Sequence, residues 1–486
     1  MSSIKNLAPQ LVWKYFYEIT QIPRPSKREE KITDYLVGFA KEHKLPVKVD
    51  KMMNVLISKP ATPGYEHLAT AILQNHTDMV CEKNSDYNFD FLTQPIETYI
   101  DGEWVKAKGT TLGADNGIGA SMALAILADD TIEHGPIEAL FTSDEETGLT
   151  GAKNLEQGFV TGKYLLNLDS EDEGEIFIGC AGGIDTLGFF PVAYTHAPDN
   201  YYFAAISISG LLGGHSGDDI HKGHANANKL LGRFLYLVSL QMPVVISEIK
   251  GGNIRNAIPR EAYAVVGVEM NKKEKLRELI NRFAAAAEEE FRATEASLSV
   301  AMQTEDARTE IFSPQLTQSI IMLMQAMPNG VLAMSFNMPN LVETSTNFAS
   351  VKLNNNQELE FVTSQRSSLE QSKINAAYTV ESIMKMAGAQ VKHSEGYPGW
   401  NPNPTSEIVK VSARVYEEIF GEVPKIKAIH AGLECGLLLE KYNWLDMVSI
   451  GPTIKGAHSP DERVNIKSVE NFWKYLLAIL KQIPNN

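Results

Sequence analysis

Short apolar runs near the start of the chain each end at histidine or acidic residues, and this pattern narrows the choice of fold. Runs at residues 69–74, 137–142 and 164–168 lead into His76, Glu145–Glu146 and Asp169. A helical pattern at about 118–128 separates the first two runs. Strands that alternate with helices in this way predict an α/β domain with a partly parallel sheet. Parallel strands end at the same edge of a sheet, where such domains bind ligands.

Charge and length limit the classes of function. The 486 residues correspond to roughly three average domains. The chain has 44 lysines and arginines against 60 aspartates and glutamates, for a formal net charge of −16. This sign argues against a nucleic-acid partner and against binding to an anionic membrane surface, because both require basic surfaces. We therefore expect a small-molecule substrate and neither of those partners.

The cysteines and the N-terminal residues suggest a compartment. Cys81, Cys180 and Cys435 cannot all pair, and their spacing matches no metal or redox motif of the CxxC type. The first residues lack the basic start and apolar run of a signal peptide. We expect a reducing, cytoplasmic location.

A second region interrupts the α/β pattern. Residues 187–398 combine strand patterns at 203–209 and 262–268, a glycine-rich loop at 210–217 and amphipathic helices at about 226–239 and 274–290. This region is predicted to be an inserted α+β domain, with residues 1–186 and 399–486 forming the two parts of the main domain. Near the start of the chain, Ser26 and Glu29 have the spacing of a capping box, which predicts a helix beginning there.

Five residues form a candidate metal site: His76, Asp115, Glu146, Asp169 and His458. Each follows an apolar run or lies in a glycine-rich turn, and burying them without a counter-charge would be costly. Imidazole and carboxylate ligands together suit Zn²⁺, and Co²⁺ or Mn²⁺ with less selectivity. Two dications carry +4, three carboxylates carry −3, and one hydroxide completes neutrality. Five ligands suffice if one carboxylate bridges, and Asp115 is assigned that role because its glycine-rich surroundings permit close approach.

Two more acids fit supporting roles. Asp78 lies two residues after His76, so both side chains point the same way on extended backbone, and its carboxylate can accept the second ring N–H. Glu145 precedes Glu146 and can face a water molecule as general base while its neighbour binds metal. The alternative for residues 144–146 is a solvated acidic turn.

Nine motifs in order resemble one family of enzymes. They include Asn75-His-Thr-Asp78, Gly109-Thr-Thr-Leu-Gly-Ala-Asp-Asn-Gly-Ile-Gly119, Asp144-Glu-Glu-Thr-Gly148, Gly213-Gly-His-Ser-Gly217, His430-Ala-Gly-Leu-Glu-Cys-Gly436 and His458-Ser-Pro-Asp461. The chain resembles the aminoacyl-histidine dipeptidases, also called peptidase D or Xaa-His dipeptidases, over about residues 7–484. This family belongs to the di-zinc exopeptidases, with peptidase T, aminoacylase and the carnosinases.

The resemblance implies a fold and a role for each site residue. The implied fold is a phosphorylase/hydrolase-like α/β metallopeptidase domain with an inserted α+β lid or dimerisation domain. His76 and Asp169 would hold one metal and Glu146 and His458 the other, with Asp115 between them. The implied catalytic residues are Glu145 as base, Asp78 as the acid that accepts the second ring N–H of His76, and His215 as the group that polarises the substrate carbonyl. The implied substrate-binding residues are Asn256, Arg366, His430 and Glu434.

Two of these assignments have structural alternatives. The segment at 213–217 could be a glycine-rich hairpin or bulge. The segment at 432–436 could be a strand-to-helix turn with Glu434 as its cap.

The expected function is that of a metal-dependent, cytosolic and homodimeric dipeptidase for Xaa-His and related dipeptides. A tripeptide aminopeptidase or an N-acyl amino acid deacylase on the same scaffold is an alternative, because the metal site does not set specificity. A non-catalytic binding or assembly protein is a second alternative. An intact Glu145 beside an intact ligand set argues against it.

Overall fold

The fold is described from a computed structural model, which covers residues 4–485. Two 3₁₀ turns lie at Ile4–Asn6 and Met270–Lys272. The α-helices are α1 Gln10–Thr20, α2 Glu30–Glu42, α3 Ala114–Ala128, α4 Glu145–Gly148, α5 Thr150–Asn154, α6 Ala227–Ser239, α7 Lys273–Glu290, α8 Pro314–Ala326, α9 Glu370–Met386, α10 Glu407–Phe420, α11 Glu434–Lys441 and α12 Ile466–Leu480.

The strands are β1 Val47–Val49, β2 Val55–Lys59, β3 Ala71–His76, β4 Thr98–Asp101, β5 Trp104–Ala107, β6 Ile137–Thr142, β7 Tyr164–Asn167, β8 Glu175–Cys180, β9 Gly182–Pro191, β10 Tyr194–His196, β11 Tyr201–Ser209, β12 Val245–Gly251, β13 Ala262–Glu269, β14 Ser299–Glu305, β15 Glu310–Phe312, β16 Gly330–Met334, β17 Val342–Leu353, β18 Glu358–Ser367, β19 Gln390–His393, β20 Lys425–Ile429, β21 Asp446–Ser449, β22 Ile454–Lys455 and β23 Arg463–Asn465.

The chain divides into two compact units. Within residues 4–485, the first unit comprises the chain up to residue 179, residues 402–428 and the chain from residue 433, and the second comprises 180–401 and 429–432. The predicted boundary at 186/187 falls within β9, which runs unbroken through the sheet of the second unit. The return to the first unit lies three residues after the predicted boundary at 398/399. The short segment 429–432, which belongs to the second unit, has no counterpart in the predicted boundaries.

An eight-stranded mixed sheet forms the centre of the first unit, in the order β1-β2-β6-β3-β7-β21-β8-β20. Its middle strands β6, β3, β7 and β21 are parallel, whereas β2 joins β6 antiparallel. Every residue of β3, β6 and β7 is buried, as expected for parallel strands covered on both faces. The carboxyl ends of three adjacent strands therefore share one edge of the sheet.

Helix α3 packs against β3 and α1 with almost every residue buried. Small residues permit this close packing. A Cβ atom added at Gly119 would lie 2.4 Å from the carbonyl oxygen of Leu168. The helix therefore lies close to the point where the chain leaves β7.

The second unit contains a nine-stranded antiparallel sheet in the order β14-β11-β13-β12-β17-β18-β9-β19, with β16 also pairing with β17. Residues of α6, α8 and the sheet share one apolar core, which includes Leu231, Phe234, Ile320, Phe348 and Phe361. Strands β10 and β15 form a separate antiparallel pair. This unit is the α+β region that the sequence predicts as an insertion.

The predicted capping box is wrong. Helix α2 begins at Glu30, and its N-cap residue Glu29 makes no side-chain cap. The Ser26 hydroxyl instead donates to Asp78, and the Glu29 carboxylate accepts from the backbone N–H groups of Lys27 and Asp144. Asp78 and Asp144 are distant in sequence from Ser26 and Glu29, so the local spacing does not reveal these two contacts.

Candidate metal and catalytic site

The predicted metal ligands meet at the carboxyl ends of the central strands. His76 is the last residue of β3, Asp169 follows β7, and Glu146 lies in α4 just after β6. Asp115 lies at the start of α3, where its backbone is not yet helical. His458 lies in the loop between β22 and β23.

Asp115 lies at the centre of this group. Its Oδ1 atom is 3.0 Å from His76 Nε2, and its Oδ2 atom is 3.0 Å from His458 Nε2. Asp169 Oδ1 lies 3.3 Å from His76 Nε2, and Glu146 Oε2 lies 3.2 Å from His458 Nε2. The residues thus form two half-sites that share one carboxylate.

The donor atoms fit two divalent cations. His76, Asp115 and Asp169 each offer a ligand atom within 4.8 Å of the others, as do Asp115, Glu146 and His458. Glu146 Oε1 is buried and accepts no hydrogen bond. A buried carboxylate oxygen without a partner is costly, and a bound cation would satisfy it.

The burial and close approach of these charged groups shift their pKa values. Burial alone would raise the pKa of Asp115, but hydrogen bonds with His458 and His76 lower it overall. Hydrogen bonds with Asp115 and Glu146 raise the pKa of His458 to about 11. Burial raises the pKa of Asp169 to about 7. Cations bound by these residues would displace protons from them.

Asp78 contacts His76 and the loop that carries the two glutamates. Its Oδ1 atom lies 3.3 Å from His76 Nδ1. The same carboxylate accepts from the backbone N–H groups of Glu145 at 3.0 Å and Glu146 at 3.2 Å, and from the Ser26 hydroxyl at 2.7 Å. A carboxylate on the outer nitrogen of a metal-binding histidine fixes its tautomer and orientation. Here it also fixes the backbone of the neighbouring acids.

Glu145 adjoins the two half-sites. One carboxylate oxygen of Glu145 lies within 4.8 Å of donor atoms of His76 and Glu146. Burial raises its pKa well above the ordinary value, and the charges of Asp169 and Glu434 add to that rise. A carboxylate with a raised pKa can accept a proton at near-neutral pH.

Glu434 lies among buried side chains of the first unit and is 1% exposed. Its Oε2 atom accepts from Gln74 Nε2 at 2.6 Å and from the Thr142 hydroxyl at 2.7 Å. Gln74 also accepts from Asn167 Nδ2 at 2.5 Å. Glu434 therefore ties together the ends of β3, β6 and β7. It makes no side-chain cap on α11, and its role in substrate binding stays a prediction.

His215 belongs to the second unit, in the loop after β11. Its Nδ1 atom accepts from the backbone N–H groups of Gly217 and Asp218, at 3.3 and 3.2 Å. The Oδ2 atom of Asp218 also lies 3.3 Å from this Nδ1 atom. Asn256 is exposed, and its carbonyl oxygen accepts from the N–H of Ser216 at 2.8 Å.

Arg366 and His430 lie near each other in the same unit. Arg366 is 7% exposed, donates to the Tyr397 hydroxyl at 2.9 Å and leaves its Nε atom without a partner. His430 Nε2 lies 2.7 Å from the Ser345 hydroxyl. Burial and the charge of Arg366 lower the pKa of His430 to about 3, so the ring is neutral at physiological pH. A buried guanidinium with one neutral partner is suited to bind an anion.

Arg24 and Glu462 are buried charged residues of the first unit that no sequence motif indicates. Arg24 donates to the carbonyl oxygens of Thr77, Asp78 and Gly113. Glu462 accepts from backbone N–H groups at the start of α3. Both act through main-chain groups distant in sequence, so residue spacing gives no signal for them. Glu462 directly follows the motif that ends at Asp461.

Imidazole and carboxylate donors for two cations, at the edge of a mixed α/β sheet, define a class of metal-dependent hydrolases. Within that class, peptidase family M20/M25/M40 matches residues 72–482, and the chain belongs to this family. It is 43% identical to the cytosol non-specific dipeptidase of Escherichia coli strain K12 over 485 residues, which cover 100% of both chains.

Solved structures support the same assignment. The aminoacylhistidine dipeptidase of Vibrio alginolyticus has a TM-score of 0.93 and 44% identity, and the match covers 100% of this chain and 99% of that one. Aminopeptidase PepT of Bacillus cereus ATCC 10987 shares the fold, with a TM-score of 0.57 and 16% identity over 98% of this chain and 99% of that one.

These comparisons confirm the family resemblance, the α/β fold class with its additional domain, and the expectation of a peptide hydrolase. The roles of the individual site residues stay predictions. Each helix within residues 4–485 is too short or too polar to cross a membrane.

Proposed function

We propose that this peptide hydrolase is a metal-dependent dipeptidase that cleaves Xaa-His and related dipeptides. The observation that carries the proposal is the position of Asp115, whose two carboxylate oxygens each lie 3.0 Å from a different histidine. His76 and Asp169 would hold one cation, and Glu146 and His458 the other, with Asp115 shared. The names of the Escherichia coli and Vibrio relatives support the substrate class.

The nitrogen and oxygen donors favour zinc, with cobalt and manganese as alternatives. When bound, such cations polarise the scissile carbonyl and lower the pKa of water.

Glu145 acts as the proton carrier of the reaction. It takes a proton from the attacking water as the water oxygen bonds to the carbonyl carbon. It then gives that proton to the amine nitrogen as the C–N bond breaks. Its raised pKa suits both steps, because one group must accept and release a proton at the same pH.

The proposed substrate contacts belong to the second unit. His215 donates its Nε2–H to the oxygen of the scissile carbonyl, which carries negative charge in the transition state. Arg366 binds the C-terminal carboxylate of the dipeptide. Asn256, His430 and, in the first unit, Glu434 are proposed to contact the remaining polar groups.

Two neighbouring substitutions test the assignment of base and ligand. We expect Glu145→Gln to lower kcat by 10²–10⁴-fold with unchanged metal content, since only the proton carrier is lost. Glu146→Gln is the matched control, and it should lose metal affinity because it removes a ligand. Metal content is measured by mass spectrometry after dialysis against a chelator. A Glu145→Gln variant with most of its activity would contradict the mechanism.

A substrate panel separates the enzyme classes that share this scaffold. The panel contains Xaa-His dipeptides, dipeptides without histidine, a tripeptide and an N-acyl amino acid, each assayed with defined metal. Preference for dipeptides is the expected result. Preference for the tripeptide or the N-acyl amino acid would favour the alternatives, and no turnover with any metal would favour a non-catalytic relative.

We also propose a cytoplasmic location and a homodimer. The name of the Escherichia coli relative supports the location. A dimer predicts a mass in solution of twice 53.7 kDa. Sedimentation equilibrium of the active protein measures this mass, and a fully active monomer would contradict the dimer.

A further inference from the structure

Glu462 is a buried carboxylate that binds four consecutive backbone N–H groups. Its Oε2 atom accepts from Leu112 at 2.7 Å and Gly113 at 2.9 Å, and its Oε1 atom accepts from Ala114 at 2.7 Å and Asp115 at 3.2 Å. Glu462 is 2% exposed. A carboxylate that accepts several backbone N–H bonds is held in a fixed position, and it fixes the backbone in return.

These four hydrogen bonds connect two loops that carry candidate metal ligands. Glu462 lies four residues after His458, and the segment that it binds ends at Asp115. Asp115 Oδ2 in turn lies 3.0 Å from His458 Nε2. The two loops are therefore joined twice, once through main-chain groups and once through the ligand side chains.

The opposite side of the same segment is also fixed. Gly113 donates its N–H to Glu462, and its carbonyl oxygen accepts from Arg24 Nη2 at 2.5 Å. Gly113 has a φ of 70°, and a Cβ atom there would lie 2.5 Å from the Arg24 guanidinium. Arg24 also donates to the carbonyl oxygens of Thr77 and Asp78, which follow His76. Buried groups of opposite charge thus flank the backbone that presents Asp115.

We propose that Glu462 is a positioning residue that orients Asp115 so that one carboxylate oxygen faces each half-site. This inference rests on the proposed function, because it assumes that Asp115 is shared by two cations. The backbone N–H of Asp115 is itself one of the four donors, so movement of this segment moves the shared ligand. Loss of outer-shell partners of this kind typically weakens metal binding by 10–100-fold.

Titration of the metal-free protein with Co²⁺ tests the proposal, with a chelator of known affinity as competitor. Glu462→Gln keeps the side-chain size but offers one acceptor oxygen in place of two. We expect it to weaken binding of the second Co²⁺ by 10–100-fold and to alter the visible Co²⁺ spectrum. Asp461→Asn is the matched control, since it removes one negative charge from the adjacent, exposed residue. We expect wild-type binding from this control.

The outcomes distinguish positioning from a structural role. If Glu462→Gln lowers only the thermal stability and binds two Co²⁺ with wild-type affinity and spectrum, the proposal is overturned. If that variant does not fold, Glu462→Asp takes its place in the same titration, and unchanged Co²⁺ binding by Glu462→Asp would overturn the proposal equally. Wild-type protein that binds two Co²⁺ but hydrolyses no dipeptide would contradict the proposed function alone.

Discussion

At the level of single residues, Arg366 is a buried cation with few hydrogen-bond partners. Its guanidinium is almost fully buried, donates to one neutral hydroxyl and leaves Nε unpartnered. Burying a cation is costly unless an anion completes its hydrogen bonds. The C-terminal carboxylate of a dipeptide is a planar anion that matches the donors of a guanidinium.

The substitution Arg366→Met should therefore weaken the recognition of a free carboxylate. A hydrogen bond to a charged group contributes about 1.5–3 kcal/mol, which corresponds to roughly 10–150-fold in kcat/KM. We expect that loss for a dipeptide and little change for the corresponding dipeptide amide. Steady-state kinetics with both substrates measure the difference. Arg233→Met, which breaks a surface ion pair with Glu290, is the control. Equal losses for the dipeptide and its amide would exclude this role.

The candidate metal ligands could be predicted from the sequence, whereas the buried charged residues that hold their loops could not. His76 and Asp169 could be predicted to lie together because each follows an apolar strand pattern, and strand ends meet at one edge of the sheet. Arg24 and Glu462 could not, because their partners are backbone groups of loops that meet only in three dimensions. The predicted capping box is absent because the Ser26 hydroxyl donates to the Asp78 carboxylate, which is distant in sequence.

At the level of elements, three parallel strands and one helix determine the position of the site. Strands β3, β6 and β7 are held in register by backbone pairing and by the side chains around Glu434. Helix α3 approaches the end of β7 at Gly119. Asn116 donates to the carbonyl oxygen of Leu168 at 2.6 Å, immediately before Asp169. Helix packing therefore fixes the chain that carries this candidate ligand.

Two glycine substitutions test this close packing. In Gly119→Ala the new methyl group would lie 2.4 Å from the carbonyl oxygen of Leu168, so we expect a loss of about 1–3 kcal/mol in the free energy of unfolding. Gly38 lies in α2 with open space around it, and Gly38→Ala should add about 0.5–1 kcal/mol through helix propensity. Denaturant unfolding measures both changes. Equal changes in the free energy of unfolding for the two variants would show that α3 can move away from β7.

At the level of the whole molecule, the change from alternating strand and helix patterns to an α+β pattern predicts an additional domain, but it does not give the limits of the second unit. Strand β9 continues through the predicted boundary because backbone pairing with β18 and β19 extends it in both directions. Residues 429–432 belong to the second unit although residues on both sides belong to the first. Pairing partners distant in sequence decide both features, and a local pattern does not contain them.

The charge at the candidate metal site should control how the stability of the whole protein depends on pH. In the metal-free chain, burial raises the pKa of Asp169 to about 7 and that of Glu434 to about 8, and hydrogen bonds raise that of His458 to about 11. Each group binds its proton more tightly in the folded than in the unfolded state. Stability is therefore highest at low pH within this range and falls as the pH rises from about 5 to 8.

Bound cations should reverse this dependence, because they require deprotonated ligands and bind more tightly at higher pH. We expect the Tm of chelator-treated protein to fall between pH 5 and 8, and added zinc to raise Tm most at pH 8. Calorimetry at both pH values measures this. Glu434→Gln removes one carboxyl group that binds a proton in the folded state. The slope of the unfolding free energy against pH should therefore become less steep by up to about 1.4 kcal/mol per pH unit. A metal-free Tm that rises with pH would show that these carboxyl groups are ionised in the folded chain without any cation.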